Sequence, residues 1–586
     1  MQLDADAESK STVADGMRID WDVPIVMDDG VVLRADLFRP VGELGRHPVI
    51  LSYGPYGKGL AFKEGYVSAY ERLTQDHPDV LQNTTGKYLN WETVDPEKWV
   101  PDGYAILRID SRGAGRSPGF LDPRSQREVE DIVQCIEWAA VQPWSSGRVG
   151  MCGISYYATN QWQVAAKRPP HLAACCIWEG SNDVYREQAR HGGILCTFRQ
   201  HWYDIQVKTV QHGRGERGPR HPITGDFACG PETLSEEELE RNRINIGQAH
   251  YEHVLLDDFY ASRTPRLADI TVPFLSAANW GGHGLHLRGN VEGFVQASSS
   301  EKWLEFHGLE HWTEFYTDYG LALQKRFFRR FLHDDATAWP DSPRVRLQVR
   351  HLDRFVERGE DEWPLARTAW TRFYLDLAGK ALRREPAADA TLQFDALGDG
   401  VTFTSEPLER ETEFTGPSAL KLFLSSSTSD ADVFAVLRAF SPGGEEVVFQ
   451  GAIDPHTPLA QGWLRASHRK LDHPRSTPFR PWHPHDALRP LRSGEIAELD
   501  VEIWPTCIVL PAGYRIALTV RGKDYEYAGL SGGRLSNFRN EMRGSGPFLH
   551  DDPRDRPPET FGGTTTLHTN SANPSYVVLP VIPTKE

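Results

Sequence analysis

The chain has 586 residues, 39% hydrophobic and 25% charged, and these are the fractions of an ordinary globular protein long enough for about three domains. Its net charge of −17, with no long basic run, excludes electrostatic capture of nucleic acid or of an anionic membrane and favours small neutral or cationic substrates. Seven cysteines without C-x-x-C spacing predict neither a disulfide framework nor a zinc site, which is typical of a cytoplasmic protein. The N-terminus is acidic and polar, so we predict no export signal. No run of ~20 apolar residues occurs, so we predict no membrane span.

The first third of the chain alternates between strand and helix patterns. DVPIVMDDGVVLRADLFRP alternates apolar and polar residues around Asp28-Asp29-Gly30, which predicts an antiparallel hairpin. HPVILSYGPYG, YAILRIDSRGAGRSPG and RVGMCGIS are apolar runs typical of buried strands, and QREVEDIVQCIEWAAVQ has helical spacing. This alternation predicts a largely parallel sheet with helices on both faces and a ligand site at the carboxyl ends of the strands.

Beyond the next strand, HLAACCIWEGSND, the pattern changes twice. Residues 183–268 are rich in Arg, His, Trp and Glu with patchy helical period, and we interpret them as an inserted helical cap. DITVPFLSAANWGG and KWLEFHGLEHW resume the sheet, and the helix LALQKRFFRRFL closes the unit. The first domain is therefore predicted in two parts, 1–182 with a polar lead at 1–18, and 269–338.

The remainder, 339–586, consists of short alternating segments broken by Gly, Pro, Asp and Ser. This pattern predicts an all-β domain, a β-sandwich or jelly roll. The stretch from about Ser531 is polar and rich in Gly and Pro, and we expect it to wrap back onto the body of the protein.

The segment Gly153-Ile154-Ser155 ends a strand just before a helical pattern, which is typical of a nucleophile elbow. Such a turn exposes the serine hydroxyl, and the amide of the next residue, Tyr156, would point at a developing oxyanion. Tyr157 stands where the elbow pattern usually has a second glycine, so the motif is incomplete. Ser155 is the predicted nucleophile.

A serine nucleophile needs a base, and the loop after the last strand, EFHGLEHWTEF, offers His307 and His311. We favour His311, because it lies further beyond the strand tip, and His307 stays open as the alternative. The loop GPYGKG after an earlier strand offers Tyr56, whose phenol could be a second oxyanion donor. Most of the 22 histidines must have plain structural roles.

Several motifs in order resemble the cocaine esterase-like hydrolases of the Xaa-Pro dipeptidyl-peptidase class. They are MDDGVVLRADLFRP, GPYGK, DSRGAGRSPG, GISYYA and, in the second half, GWLRASHRKLD and PLRSGEIAELDVEIWPTCIVLPAGYRIALTV. The resemblance spans residues 20–585 and implies an α/β-hydrolase domain with an inserted helical cap, followed by a jelly-roll β-sandwich. It also implies a Ser-His-acid triad acting on esters or amides, with Ser155 as nucleophile, His311 as base, and Tyr56 and Tyr156 as oxyanion donors.

The acid of the family's triad is missing from its usual place. In that family it follows a tryptophan by two residues, and here Trp280 is followed by Gly281 and Gly282. A carboxylate at the tip of the strand after the elbow helix could reach the same histidine, and Glu179 occupies that tip. We therefore predict Glu179 as the relocated acid, with Glu310 and Asp183 as weaker substitutes.

Three functions follow from these residues. The first is a serine hydrolase of small esters or amides. The second is a dipeptidyl-peptidase or α-amino acid ester hydrolase activity, which needs an anionic pocket for an ammonium, for example from Glu187 and Asp204 of the cap. The third, suggested by Gly282, is a non-catalytic binding relative. We predict no cofactor and no metal, because His283 and His286 have no further clustered ligand, and the two-domain build is compatible with a homodimer.

Overall fold

The computed structural model describes residues 10–42, 45–340, 342–535 and 538–583. Within them, a first sheet has eleven strands in the order β1-β2-β3-β5-β4-β6-β7-β10-β11-β12-β13. Their bounds are β1 Lys10–Ala14, β2 Met17–Val26, β3 Val32–Pro40, β4 His47–Gly54, β5 Ala105–Asp110, β6 Ser145–Ile154, β7 Leu172–Trp178, β10 Phe274–Asn279, β11 Lys302–His307, β12 Val345–Arg350 and β13 Phe355–Glu360.

The centre of this sheet is parallel, as predicted, from β5 through β4, β6, β7, β10 and β11 to β12. The predicted hairpin around Asp28-Asp29-Gly30 is present as the antiparallel pair β2 and β3. The central strands are buried along almost their whole length, which explains their continuous apolar runs.

Helices cover both faces of the first sheet. Four of them are α4 (Gln126–Ala140), α5 (Tyr156–Lys167), α10 (Leu287–Gln296) and α12 (Asp318–Leu332). Three further helices precede β5, namely α1 (Phe62–Gly65), α2 (Val67–Asp76) and α3 (Pro96–Trp99), and the short α11 (Thr313–Tyr316) precedes α12. α4 and α5 pack in one apolar core, and the phenylalanines of α12 pack in another with the elbow strand β6.

The segment predicted as a cap contains a two-stranded hairpin and short helices. The hairpin is β8 (Arg190–His191) with β9 (Ile194–Leu195), and the α-helices are α6 (Phe198–Trp202), α7 (Glu236–Arg241), α8 (Ile246–Glu252) and α9 (Asp258–Ala261). Two π-helical turns at 185–189 and 203–207 explain why the helical period in the sequence is patchy.

The second sheet has twelve strands. They are β14 Ala369–Asp376, β15 Ala381–Arg383, β16 Ala390–Asp395, β17 Val401–Ser405, β18 Thr412–Ser426, β19 Asp432–Phe440, β20 Glu446–Val447, β21 Ala460–Arg465, β22 Ala497–Leu510, β23 Arg515–Arg521, β24 Thr564–Thr569 and β25 Tyr576–Ile582, with the short α13 (Pro558–Phe561) before β24. Strand β25 pairs with both β14 and β18, so the sheet closes into a barrel-like unit around a core rich in leucine and valine.

Two boundaries differ from the sequence prediction. β12 and β13 extend the first sheet to residue 360, beyond the expected end at 338, because short alternating strands have the same pattern at the edge of either sheet. Of the predicted polar lead, residues 1–9 lie outside the described residues, and the rest forms β1 and the start of β2. None of the helices in the described ranges combines the length and the apolar character that a membrane crossing requires.

Candidate active site

Ser155 lies at the sharp turn between β6 and α5. Its backbone has φ 57° and ψ −108°, a conformation that a non-glycine residue rarely adopts and that a nucleophile elbow requires. Gly153 makes the turn feasible, since a Cβ there would lie 2.4 Å from Cβ of Tyr157 and 3.0 Å from the carbonyl oxygen of Glu92. The sequence motif therefore forms the predicted turn in spite of Tyr157.

The side chain that contacts Ser155 is His286, directly before α10. The distance between His286 Nε2 and Ser155 Oγ is 3.1 Å. Nδ1 of the same ring accepts a hydrogen bond from the backbone N–H of Ser181 at 3.2 Å. In the sequence, His286 suggests only a metal ligand beside His283, and its place in GLHLRGN, just after the loop that lacks the acid, is the available signal for a role at Ser155.

His311 lies next to His286, between two carboxylates. Its Nδ1 is 2.8 Å from Glu179 Oε2, and its Nε2 is 2.9 Å from Glu92 Oε1. The rings of His286 and His311 stack with centroids 5.4 Å apart and an angle of 16°. The structure thus brings together Ser155, His311 and Glu179, and adds His286 and Glu92, which the sequence analysis did not select.

Glu179 is shared by two histidines. Its Oε1 is 3.0 Å from Nε2 of His307, whose Nδ1 is 2.7 Å from Glu305 Oε2. Asn279, at the tip of β10, donates from Nδ2 to the same Oε1 at 3.1 Å. His307 is 0% exposed and both of its ring nitrogens contact carboxylates, so it is enclosed behind Glu179 and does not line the cavity at Ser155.

The charges of this cluster follow from its contacts. Burial disfavours the imidazolium of His311, but Glu179 and Glu92 outweigh burial and raise its pKa to about 10. Burial likewise opposes the ionised form of Glu179, yet His311 and His307 together lower its pKa to about 2. Burial raises the pKa of Glu92, against the opposing effect of His311. At neutral pH His311 is therefore an imidazolium that donates to both carboxylates.

The two predicted oxyanion donors lie beside the turn. The hydroxyl oxygen of Tyr56 accepts a hydrogen bond from Trp202 Nε1 at 3.0 Å, so its own proton is available to another acceptor. Burial, and then the charge of Glu92, raise the pKa of Tyr56 well above its ordinary value, which keeps the phenol protonated. Tyr156 is the first residue of α5, where the amide has no acceptor within the helix.

A cavity of about 40 Å³ opens on Ser155, and three parts of the chain form its walls. Residues before 183 and between 269 and 338 contribute Tyr56, Trp91, Glu92, Gly282, Leu285, His286 and His311, the segment 183–268 contributes Phe198, Trp202 and Gln206, and the C-terminal part contributes Ala452, Ile453, Phe538 and Phe548. The stretch after Ser531 does return to the body of the protein, as predicted.

The other acidic candidates are engaged elsewhere. Glu187 is buried and pairs with Arg288 at 3.0 Å, and Asp183 pairs with Arg186. Asp204 pairs with Lys208 at 2.6 Å. Glu310 accepts a hydrogen bond from Thr313 at 3.0 Å and lies 3.8 Å from Arg72. None of these four carboxylates lines the cavity at Ser155.

One group of described side chains has the spacing of a metal site, namely His191, Cys196 and His550, whose ligand atoms lie within 4.8 Å of one another. Its ring nitrogens already have partners, because His191 Nδ1 is 2.9 Å from His550 Nε2 and His550 Nδ1 is 2.7 Å from Asp524. We interpret the group as a buried hydrogen-bond chain between the cap and the second sheet.

Comparison with known proteins identifies the class. The model of the X-Pro dipeptidyl-peptidase (S15) family matches residues 29–313, and that of the X-Pro dipeptidyl-peptidase C-terminal non-catalytic domain matches residues 337–578. The chain is 25% identical to the cocaine esterase of Rhodococcus sp. (strain MB1 Bresler), with 96% of this chain and 98% of the esterase aligned. It is 23% identical to a putative serine esterase of Mycobacterium bovis, over 89% of this chain and 93% of the esterase.

A solved structure agrees with these matches. The crystal structure of a CocE/NonD family hydrolase from Staphylococcus aureus is 31% identical and superposes with a TM-score of 0.83, covering 99% of this chain and 97% of that one. An α-amino acid ester hydrolase, 17% identical, shares the fold with a TM-score of 0.69. The protein is thus a serine-type hydrolase of ester or amide bonds. It belongs to the CocE/NonD family of hydrolases, as the sequence motifs predicted.

Proposed function

We propose that Ser155, His311 and Glu179 form the catalytic triad of a hydrolase that cleaves small-molecule esters or amides through an acyl-enzyme intermediate. The observation that carries this proposal is the contact of 2.8 Å between Glu179 and Nδ1 of His311, in the wall of the cavity onto which Ser155 opens. A carboxylate on Nδ1 directs Nε2 of the same ring toward the serine. In this structure Nε2 contacts Glu92 Oε1 at 2.9 Å, so the proposed proton transfer requires Nε2 to exchange this partner for Oγ.

In the proposed acylation step, the Oγ–H bond of Ser155 breaks and its proton passes to Nε2 of neutral His311. Oγ bonds to the acyl carbon, and the carbonyl electron pair moves to the oxygen, which accepts hydrogen bonds from the Tyr56 hydroxyl and the Tyr156 amide. When the tetrahedral intermediate collapses, the leaving group takes the proton from His311. Water then repeats these steps on the acyl-enzyme and releases the acid.

A second substrate class is favoured by Glu92. Its Oε2 is buried and forms no hydrogen bond of good geometry among the described residues, although Trp91 lies close enough to lower the pKa of Glu92, and the side chain stands in the cavity wall. An ammonium group of an α-amino acid ester or a dipeptide would satisfy this oxygen and weaken the hold of Glu92 on His311. Glu92 therefore replaces Glu187 and Asp204 as the proposed amine-binding group. Comparing kcat/KM for a free-amine ester and its N-acylated analogue tests this, since only an amine-binding site penalises acylation.

The triad is tested by covalent labelling. A fluorophosphonate probe should modify Ser155, located by mass spectrometry of the labelled peptide, and p-nitrophenyl acetate should give a burst of p-nitrophenol. Ser155→Ala should lose both signals while keeping its thermal unfolding midpoint, and Ser146→Ala, at an exposed serine at the start of β6, should keep both. Labelling or turnover that persists in Ser155→Ala would exclude Ser155 as nucleophile, and a wild type that shows neither would favour the non-catalytic alternative.

The architecture we propose is an α/β-hydrolase domain in two parts, 1–182 and 269–338, a helical cap at 183–268, and a jelly-roll domain at 339–586 whose first two strands join the other sheet. The largely parallel first sheet with the elbow after β6, and the closed, mostly antiparallel second sheet, support it. A small-molecule substrate, a cytoplasmic location and a homodimer complete the proposal; all seven cysteines are buried and unpaired.

A further inference from the structure

His286 contacts the nucleophilic oxygen, yet no carboxylate among the described residues forms a hydrogen bond with its ring. We propose that His286 is a catalytic hydrogen-bond donor to Ser155 Oγ, which stabilises the charge that develops on this oxygen, and that it is not the base. This inference rests on the proposed role of Ser155. It assigns a function to the residue that precedes α10, in the loop where the expected acid is replaced by Gly282.

The position of the proton on His286 follows from its two contacts. Nδ1 faces the backbone N–H of Ser181 at 3.2 Å, and because an N–H can only donate, Nδ1 must present its lone pair. A neutral imidazole then carries its single proton on Nε2, which is 3.1 Å from Ser155 Oγ. In this tautomer Nε2 donates to Oγ and has no lone pair with which to accept the serine proton.

The surroundings oppose the form that a base would need. A base must become an imidazolium, which would direct a new N–H of Nδ1 at the N–H of Ser181. Burial, and then the positive charge of stacked His311, hold the pKa of His286 well below its ordinary value, so the neutral ring is favoured.

The backbone around Nδ1 has little freedom to rearrange. Asn290 of α10 accepts a hydrogen bond from the amide of Gly180 at 2.8 Å, and a Cβ on Gly289 would lie 2.5 Å from Cα of Ser181. The start of α10 and the loop after β7 are therefore in direct contact, and His286 is fixed between the Ser181 amide and Ser155.

A donor in this place acts on both halves of the reaction. As Oγ gives its proton to His311, negative charge grows on Oγ and the Nε2–H bond to it strengthens, so the transition state gains more than the ground state. In deacylation Oγ is the leaving group and gains charge again. Loss of the donor should therefore slow acylation and deacylation alike.

Two amide substitutions separate the contacts of His286. In His286→Gln the side-chain amide can place an N–H near the position of Nε2, whereas in His286→Asn the shorter amide can accept from Ser181 but does not reach Oγ. The measurements are the second-order rate constant of fluorophosphonate labelling and the p-nitrophenyl acetate burst and steady-state rates, over a range of pH. His283→Gln, the same change three residues upstream and outside the cavity, controls for disturbance of the loop.

We expect His286→Asn to slow labelling and both reaction phases by roughly 10- to 100-fold, and His286→Gln to recover most of that loss. The acid limb of the pH profile should stay in place in both variants, because it reports His311. His283→Gln should label within about twofold of the wild type, and circular dichroism and unfolding midpoints should verify that every variant is folded.

Two results would overturn the inference. If both variants label as slowly as His311→Ala and the acid limb disappears, His286 is the base. If both label at the wild-type rate and only the unfolding midpoint falls, His286 is merely structural. Ser155→Ala tests the nucleophile separately. If the wild type is labelled at Ser155 but His286→Gln reacts as slowly as His286→Asn, the proposed role of His286 is wrong while that of Ser155 stands.

Discussion

Glu179 is a fully buried carboxylate that contacts two imidazoles. His311 lies on the cavity side of the carboxylate, and His307 lies behind it. Neutralising it should misorient His311 and leave its imidazolium uncompensated. We expect Glu179→Gln to lower kcat on p-nitrophenyl acetate by about 10³- to 10⁴-fold, as loss of the acid does in the Ser-His-Asp triad. Glu310→Gln, next to His311 in sequence but directed at Thr313 and Arg72, should stay within about twofold; equal rates for both variants would contradict the assignment.

Glu92 should control the pH at which His311 becomes a base. With a pKa of about 10, His311 is protonated in the resting enzyme at neutral pH, so kcat/KM should rise with pH toward about 10. Glu92→Gln removes one of the two carboxylates that raise this pKa, and the acid limb should move to lower pH by ~1 unit or more. An acid limb that does not move would show that Glu92 does not act on the base.

The raised pKa of His311 also predicts how the stability of the fold depends on pH. Activity should rise with pH, whereas stability should fall. Because the pKa of His311 is raised in the folded protein, its imidazolium stabilises the fold fully below about 6.5, and this contribution is lost as the pH rises through about 10. The unfolding midpoint of the wild type should therefore fall more steeply between pH 7 and 10 than that of Glu92→Gln. Parallel midpoint curves for the two proteins would contradict this.

At the scale of elements, the site is built where strands end. Ser155, Glu179 and His311 follow β6, β7 and β11, and parallel strands bring their carboxyl ends to one edge, which is why sequence reasoning could select all three. Glu92 and His286 were missed for a physical reason. Glu92 lies in the irregular segment between α2 and α3, and His286 lies directly before α10. Neither position belongs to a periodic pattern from which the orientation of its side chain could be predicted.

The cavity wall from the C-terminal part should limit the acyl group. Phe548 lines the small cavity of about 40 Å³ that opens on Ser155. Phe548→Ala should raise the ratio of kcat/KM for p-nitrophenyl butyrate to kcat/KM for p-nitrophenyl acetate by ~10-fold. The reason is that the enlarged cavity can bury the two additional methylene groups of the butyryl chain. Phe120→Ala, a change at a 48% exposed ring outside the cavity, should leave the ratio unchanged. An unchanged ratio in Phe548→Ala would exclude this wall as a specificity determinant.

At the scale of the whole molecule, the cap and the second sheet are joined by a buried charge network. Asp555 lies 2.8 Å from Arg190 of the cap hairpin and 2.9 Å from Arg465 of β21, which also pairs with Asp432. Burial opposes the ionised form of Asp555, but Arg465 and Arg190 lower its pKa to about 2. The carboxylate is therefore charged at neutral pH.

Removing that charge should destabilise the junction. Asp555→Asn leaves two buried guanidinium groups without full compensation, which costs about 3–5 kcal/mol, and the thermal unfolding midpoint should fall clearly. Asp552→Asn is the matched control, since its partner Arg554 is 48% exposed and such surface pairs contribute ~0–1 kcal/mol. Equal midpoints for the two variants would mean that the network does not hold the units together.

The large-scale architecture was only partly readable from the sequence. Strand and helix periods indicated the parallel sheet and the β-rich C-terminal part, because burial sets the pattern locally. The closure of the second sheet was not readable, since it depends on β25 pairing with β14 and β18 across more than a hundred residues. The contribution of Phe548 to the cavity has the same origin, a contact between segments distant in the chain.

The composite cavity has a kinetic consequence. Its walls come from residues as far apart as Tyr56 and Phe548, so substrate can be held only after sheet, cap and C-terminal part have all docked. Large multidomain chains fold unit by unit, and docking is a late, slow event. During renaturation we therefore expect circular dichroism to recover first and hydrolysis to return after a lag.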